Sequence, residues 1–189
     1  VFQKLGDATR AREIFQRGVA ANCQDAASIY HGYAMLELWL GNVNEARVLL
    51  IRGREEVKRQ DAGRDYVYRD RAIFISHTLG MLELNRNQPS DARDVFADGI
   101  KRYGNSSQLL LGAALSEVML GNQERARALF EQSVLSDARH AQAWQAWGVM
   151  EMRVGNTETA KKLFESGIKN APHHGALWQA YATTVSYTH

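Results

Sequence analysis

The chain has 189 residues, 45% of them hydrophobic and 23% charged, a balance that suits a folded domain with a sizeable core. Its formal net charge of +2 excludes the strong positive excess of a typical nucleic-acid-binding domain, so any such site must come from local clustering. The single cysteine, Cys23, excludes an internal disulfide and fits a reducing compartment, and no apolar run approaches the roughly 18 residues of a membrane span.

In chain order, apolar periodicity and turn residues predict helices near 7–21, 26–40, 42–58, 66–86, 89–103, 106–120, 122–136, 140–154, 156–170 and 174–187. No segment reads as a strand. The pattern repeats. A glycine followed by Asn or Asp stands at Gly6, Gly41, Gly121 and Gly155, and Asn87 takes the glycine's place in a fifth copy. These anchors are 35, 46, 34 and 34 residues apart, so one unit carries about a dozen extra residues and the others keep the period. Each anchor reads as a tight turn in which Gly or Asn adopts the left-handed conformation that ends a helix. The following Asn42, Asn122, Asn156 or Asp7 is expected to cap the next helix by accepting a backbone N–H. Pro89 suits a first helical turn.

Other columns recur at fixed offsets from the anchor. Five residues on stand Ala11, Ala46, Ala92, Ala126 and Ala160; nine on stand Phe15, Leu50, Phe96, Phe130 and Phe164. Small residues follow at Gly18, Gly53, Gly99, Ser133 and Gly167, and precede the anchor at Ala34, Gly80, Ala114 and Gly148. Tyr30 with Tyr33 and Trp144 with Trp147 add aromatic pairs. Spacings of three and four put these residues on one face of each helix, where small residues admit a neighbouring backbone and aromatics fill the space beside it. A helix pair of this kind leaves an apolar face that only the next pair can cover. The expected architecture is therefore an all-α solenoid of antiparallel helix pairs, about five and a half units in one domain over 1–189, near 1–23, 24–58, 66–104, 105–138, 139–172 and 173–187. It reads as a piece of a longer array, and the tail 185–189 departs from the pattern.

The alanine, aromatic and small-residue columns, with Pro172 closing a unit, resemble the tetratricopeptide repeat (TPR). Where that repeat prefers tyrosine, however, this chain has Glu37, Glu83, Glu117 and Glu151, and six residues after each turn it has Arg12, Arg47, Arg93, Arg127 and Lys161. Paired aromatics, Glu, and then Ala-Arg with an aromatic resemble the HAT (half-a-TPR) repeat, over roughly residues 5–182. Ser76 and Leu110 depart from it at aromatic positions. The resemblance implies a right-handed solenoid and a role in RNA metabolism. The wording from Trp144-Gln-Ala-Trp-Gly-Val-Met-Glu151 to Phe164 is similar to plastid psbB-type mRNA maturation factors. That likeness implies binding of a single-stranded mRNA leader in the plastid, which shields it from exonucleases and keeps the ribosome site open. The alternative is a protein–protein scaffold in a nuclear or organellar RNA-processing complex.

Three residue sets are candidates for function. The Glu and Arg/Lys columns are expected to form ion pairs within each unit, Glu37 with Arg47, Glu83 with Arg93, Glu117 with Arg127 and Glu151 with Lys161, because a lone buried carboxylate costs several kcal/mol, roughly, and an arginine offsets it. A groove for RNA or a partner is expected on the first helix of each pair. It would use His31, Trp39, His77, Asn85, Gln108, Gln145, Arg153 and Gln179, whose amides and imidazoles can bond base edges and whose indole can stack a base. Leu111 shares that column. A basic strip of Arg52, Arg54, Lys58, Arg59, Arg64, Arg69 and Arg71, with Lys101 and Arg102 farther on, can hold phosphates, although interleaved acids make a salt-laced exposed helix the plainer expectation.

Motifs for catalysis are missing from the sequence: there is no Gly-rich phosphate loop, no His-Glu-x-x-His and no paired-cysteine motif. An enzyme, a metal or cofactor, a membrane and a small-molecule substrate are accordingly not expected. Asn105-Ser106-Ser107 reads as a helix cap, and His173-His174 as a turn after Pro172.

Overall fold

The computed structural model describes residues 2–21, 25–60 and 69–186, without the side chains of residues 2–6 and 69. Ten helices lie in these segments: α1 (Phe2–Ala20), α2 (Ala26–Trp39), α3 (Val43–Gln60), α4 (Arg69–Asn85), α5 (Pro89–Tyr103), α6 (Ser107–Met119), α7 (Gln123–Ser136), α8 (Ala141–Arg153), α9 (Thr157–Asn170) and α10 (Gly175–Ser186). No strand occurs among the described residues. The chain is an all-α helical-repeat solenoid, and nine of the expected helices end within a few residues of where the spacing places them. The exception is the first. Helix α1 runs through Gly6, where a turn and an Asp7 cap are expected. A glycine inside a helix costs only about 1 kcal/mol, little enough for its surroundings to override.

The chain divides into two compact units, Val1–Arg86 and Asn87–His189, with the boundary at the Asn87 turn inside the expected 66–104 pair. In the first unit, α2 and α3 form an antiparallel pair; α1 packs on α2, and α4 packs on both α2 and α3. Ala34, Ala46, Leu50 and Ile75 are completely enclosed there. Phe15 stacks on Tyr33 with ring centroids 5.5 Å apart. A Cβ on Gly53 would stand 2.5 Å from Tyr30 Cβ and 3.2 Å from Ile75, which is why that column is small.

In the second unit, α6 pairs with α7 and α8 with α9, while α5 packs on α6, α7 on α8 and α9 on α10. The first helices α6, α8 and α10 also lie side by side. Phe96, Phe130 and Phe164 are fully buried. Phe130 stacks on Trp147 at 6.2 Å, a contact from one pair to the next. The ring of Phe96 lies where a Cβ on Gly112 would be, and that of Phe164 where one on Gly148 would be. Phe96 on Gly112 thus locks one pair onto the next, and Phe164 on Gly148 locks the two helices of one pair together.

The turns behave as their residues dictate. Gly41, Gly121 and Gly155 have φ of 83°, 80° and 86°, and Asn87 has 59°. Pro89 opens α5 at its first turn. The expected cap at Ser106 is different: its side chain makes no capping bond, and neighbouring Ser107 instead joins Ser133 and His140.

Gly112→Ala should destabilise the chain by about 1–3 kcal/mol, the usual cost of overpacking a filled core. Gly175→Ala, which faces open space, should leave the urea midpoint within error of the parent. Equal midpoints for the two variants would contradict the interlocking of Phe96 with α6.

Candidate interaction face

The glutamate column holds the most deeply buried charges among the described residues: Glu37, Glu83 and Glu151 are each 1% exposed. Each lies near the end of a first helix, and the turn that ends the helix holds it. Asn42 N–H donates to the Glu37 carbonyl at 2.8 Å and Gly41 N–H to the Leu38 carbonyl at 3.0 Å, the paired bonds of a glycine-terminated helix. The Asn42 side-chain amide then donates to Glu37 Oε2 at 2.7 Å. Asn122 does the same for Glu117 at 2.6 Å and Asn156 for Glu151 at 2.7 Å. The turn asparagines therefore donate backward to the glutamate, and Asn122 and Asn156 make no forward side-chain capping bond.

The arginine partner also differs from expectation. Arg12 donates to both oxygens of Glu37 at 2.6 and 2.8 Å, Arg47 Nε donates to Glu83 at 2.5 Å, and Arg127 donates to both oxygens of Glu151 at 2.7 and 3.0 Å. The bridge runs from the second helix of one pair to the first helix of the next, not within a pair. Antiparallel neighbours point the arginine, one and a half turns beyond its own turn, toward the following helix. At Glu83, where the Gly-Asn dipeptide is replaced, Arg86 takes the asparagine's role at 2.9 Å. Arg93 instead bonds Asp94, leaving Glu117 to Asn122, and Lys161 pairs with Glu158 because Val185 occupies the next glutamate position. The arginine hydrogen bonds hold the Glu37 and Glu151 carboxyls below their ordinary range, against the opposing effect of burial.

These clasps point inward and leave the other side of the first helices open. In the first unit this face carries Ser28, His31, Met35 and Trp39 of α2, and Phe74, His77, Met81 and Asn85 of α4. Trp39 is 62% exposed, Met35 46% and Phe74 47%. His31 is half-buried, bonds Thr78 at 3.0 Å and lies beside the Phe74 ring. It ties α2 to α4, and burial lowers its pKa and favours the neutral ring. Asn85 is exposed and His77 half-buried.

In the second unit, Leu115 and Val118 of α6 and Gln142, Gln145, Ala146, Val149, Met150 and Arg153 of α8 line a cleft of about 250 Å³. Gln108 is half-buried, Leu111 is buried, Met119 is 46% exposed, and Gln179 is exposed on α10. The face is more apolar than expected. Met35, Met81, Leu115 and Val149 share the column six residues before the anchor, and sequence reasoning passed over them because apolar residues read as core. Their common register with His31 and Gln145, one helical turn away, was the available signal.

The basic strip is laced with acids. Lys58 pairs with Glu55 at 3.1 Å, Arg59 with Glu56 at 2.6 Å, and Arg71 with Asp25. Arg102 bonds Asp98 at 3.2 Å. Arg52 is exposed and Arg54 half-buried. Cys23, Arg64 and the Arg69 side chain lie outside the described residues. No group of three or more His, Cys, Asp or Glu that could hold a metal occurs among the described residues.

Residues 1–173 match the family model "Pre-mRNA-splicing factor Syf1/CRNKL1 C-terminal HAT repeat". No curated protein sequence matches. Among solved structures, the chain is similar to TTC0263, a thermophilic TPR protein of Thermus thermophilus, with a TM-score of 0.67 and 18% identity over 97% of this chain and 93% of that one. It is similar to YrrB, a TPR protein with an unusual peptide-binding site, with a TM-score of 0.64 and 18% identity over 94% and 85% of the two chains. The second TPR domain of human RPAP3, solved with an HSP70 peptide, gives a TM-score of 0.51 and 18% identity over 58% and 91%. At such identities the likeness is one of fold.

The depressed carboxyl pKa values set a pH dependence. Folding favours ionised Glu37 and Glu151, so their contribution is complete above the ordinary value of 4.5 and is lost as pH falls through the lower folded values. In urea titrations, the stability gap between the parent and Glu37→Gln/Glu151→Gln should be constant from pH 7 to pH 5 and shrink below about pH 4.5. A gap independent of pH would contradict the assignment.

Proposed function

Since the chain belongs to the Pre-mRNA-splicing factor Syf1/CRNKL1 C-terminal HAT-repeat family, we propose that it is a protein-binding scaffold of a nuclear RNA-processing assembly, of the splicing kind. It seats segments of partner proteins on the open faces of its first helices, and the work is binding rather than catalysis.

The chemistry of that face carries the reading. In the four columns thirteen, ten, six and two residues before the anchors, Arg153 is the only Lys, Arg, Asp or Glu among the described residues. The rest are Met, Leu, Val, aromatic, small or neutral polar side chains. Exposed methionine and tryptophan adapt to apolar partners and are frequent anchors at protein interfaces. RNA asks for the reverse: each neutralised phosphate needs a cation, and affinity for single strands comes from a basic path beside stacking rings. Trp39 and Phe74 supply rings, but the one cation in their columns, Arg153, stands on α8, His31 is engaged with Thr78, and Lys58, Arg59 and Arg71 face acids of their own chain. Two fold neighbours, YrrB and the RPAP3 domain, are described as peptide binders. The single-stranded leader and the plastid placement rest on the wording of residues 144–164 alone.

The test is capture from a nuclear extract on resin bearing the chain, before and after RNase. Identified RNA-processing proteins should stay bound after RNase and be lost from the Met35→Glu/Trp39→Glu variant, whose substitutions lie on exposed positions. Release of all partners by RNase, together with retention of a random RNA pool that weakens as salt rises, would make the chain an RNA binder and overturn the scaffold reading.

A further inference from the structure

The cleft between α6 and α8 has features that narrow its occupant. Its apolar lining is Leu115 and Val118 of α6 and Ala146, Val149 and Met150 of α8. At about 250 Å³ it falls below the roughly 300–1,000 Å³ of small-molecule sites and suits a single large side chain. At the rim stands Arg153, one turn along α8 from Val149. Its guanidinium is exposed and makes no ion pair among the described residues, while Glu151, two residues away in sequence, is turned to the other side and consumed by Arg127 and Asn156. Gln145 is half-buried at the same cleft, and its amide makes no hydrogen bond among the described residues.

We propose that this cleft takes one apolar side chain of a partner protein's segment, and that a carboxylate within about one helical turn of that anchor pairs with Arg153. This rests on the scaffold reading of the face and names the partner's chemistry at one place on it. Charge complementarity selects the carboxylate: the residues lining the cleft offer one cation and no acid to repel an anion. The same count disfavours a nucleic acid, whose successive phosphates need successive cations. The Gln145 amide, free to donate and accept, is placed for the backbone of the bound segment. A solvated charge at the rim of an apolar pocket gives selectivity and register more than raw affinity, so the pair is expressed chiefly as discrimination between partners.

The experiment measures fluorescence anisotropy with the whole chain. The probes are labelled peptides that place Leu, Met or Phe one to four positions from Glu in a Gly/Ser background, the same peptides with Lys for Glu, and an oligouridylate. At least one Glu peptide should bind, with its Lys counterpart weaker by about tenfold. Arg153→Glu should reverse that preference, and Ala146→Phe, which fills the cleft, should abolish binding of both. Arg153 is exposed, so its variant keeps the test valid if Ala146→Phe fails to fold. Absence of binding by every peptide, stronger binding of the oligouridylate, or an Arg153→Glu variant that keeps the parent's preference would each overturn the inference. If extract proteins are still captured through the Met35 and Trp39 face while Arg153→Glu changes nothing, the scaffold reading survives and only this assignment falls.

Discussion

A carboxylate buried near the end of the first helices α2, α4, α6 and α8 is the constraint around which the repeat is organised. Leaving such a group without partners costs more than one or two stabilising contacts can offset. The chain meets it from two directions. The turn that ends the helix returns an asparagine amide, so Glu37, Glu117 and Glu151 are each held by Asn42, Asn122 and Asn156 at 2.6–2.7 Å. The preceding pair then adds a guanidinium, Arg12 for Glu37, Arg47 for Glu83 and Arg127 for Glu151. One half of the clasp fixes how a helix turns; the other fixes where the next pair stacks. Local and long-range order therefore share one group. Glu117, which Arg93 does not reach, keeps only the asparagine half of the clasp.

Aromatic seating complements the clasp. Rings from second helices occupy the space left by Gly112, Gly148 and Gly32, and small residues at Gly53 and Gly167 accept aromatics in return. The polar clasp gives direction and the ring contacts give area. Together they commit one side of each first helix to packing. The other side of the first helices stays open, and its composition decides what it can bind. With Met35, Trp39, Phe74 and Met119 exposed and charge nearly absent, it is suited to apolar partner surfaces.

Much of this was legible in the sequence for a physical reason: a repeat shows each constraint several times. Left-handed turns at Gly41, Gly121, Gly155 and Asn87, the buried alanine and aromatic columns, and nearly all helix boundaries follow from residue type and spacing. The failures are instructive. A column shows that Glu and Arg matter but not which copy each one meets, because separations within a pair and between pairs both bring them close; only packing distinguishes Arg47 with Glu83 from Arg47 with Glu37. Asn42 and its equivalents read as forward caps because that bond is local, yet a buried carboxylate is the stronger acceptor and draws the amide backward. Gly6 has the turn's letters but lies inside α1. On the open face, polar residues such as Gln145 and Asn85 drew notice, while Met35 and Val149 beside them read as core. Periodicity marks a stripe as apolar but does not say whether a neighbour covers it.

The clasp between pairs is tested most directly by a thermodynamic cycle on Arg127→Ala, Glu151→Gln and the double variant, followed by urea unfolding. Arg127→Ala strands a buried carboxylate and should cost about 3–5 kcal/mol. Once Glu151 is neutral, the same change should cost less than half as much, giving a coupling of about 1–3 kcal/mol. Strict additivity of the two substitutions would contradict the account, since it would mean that neighbouring pairs stack without the bridge.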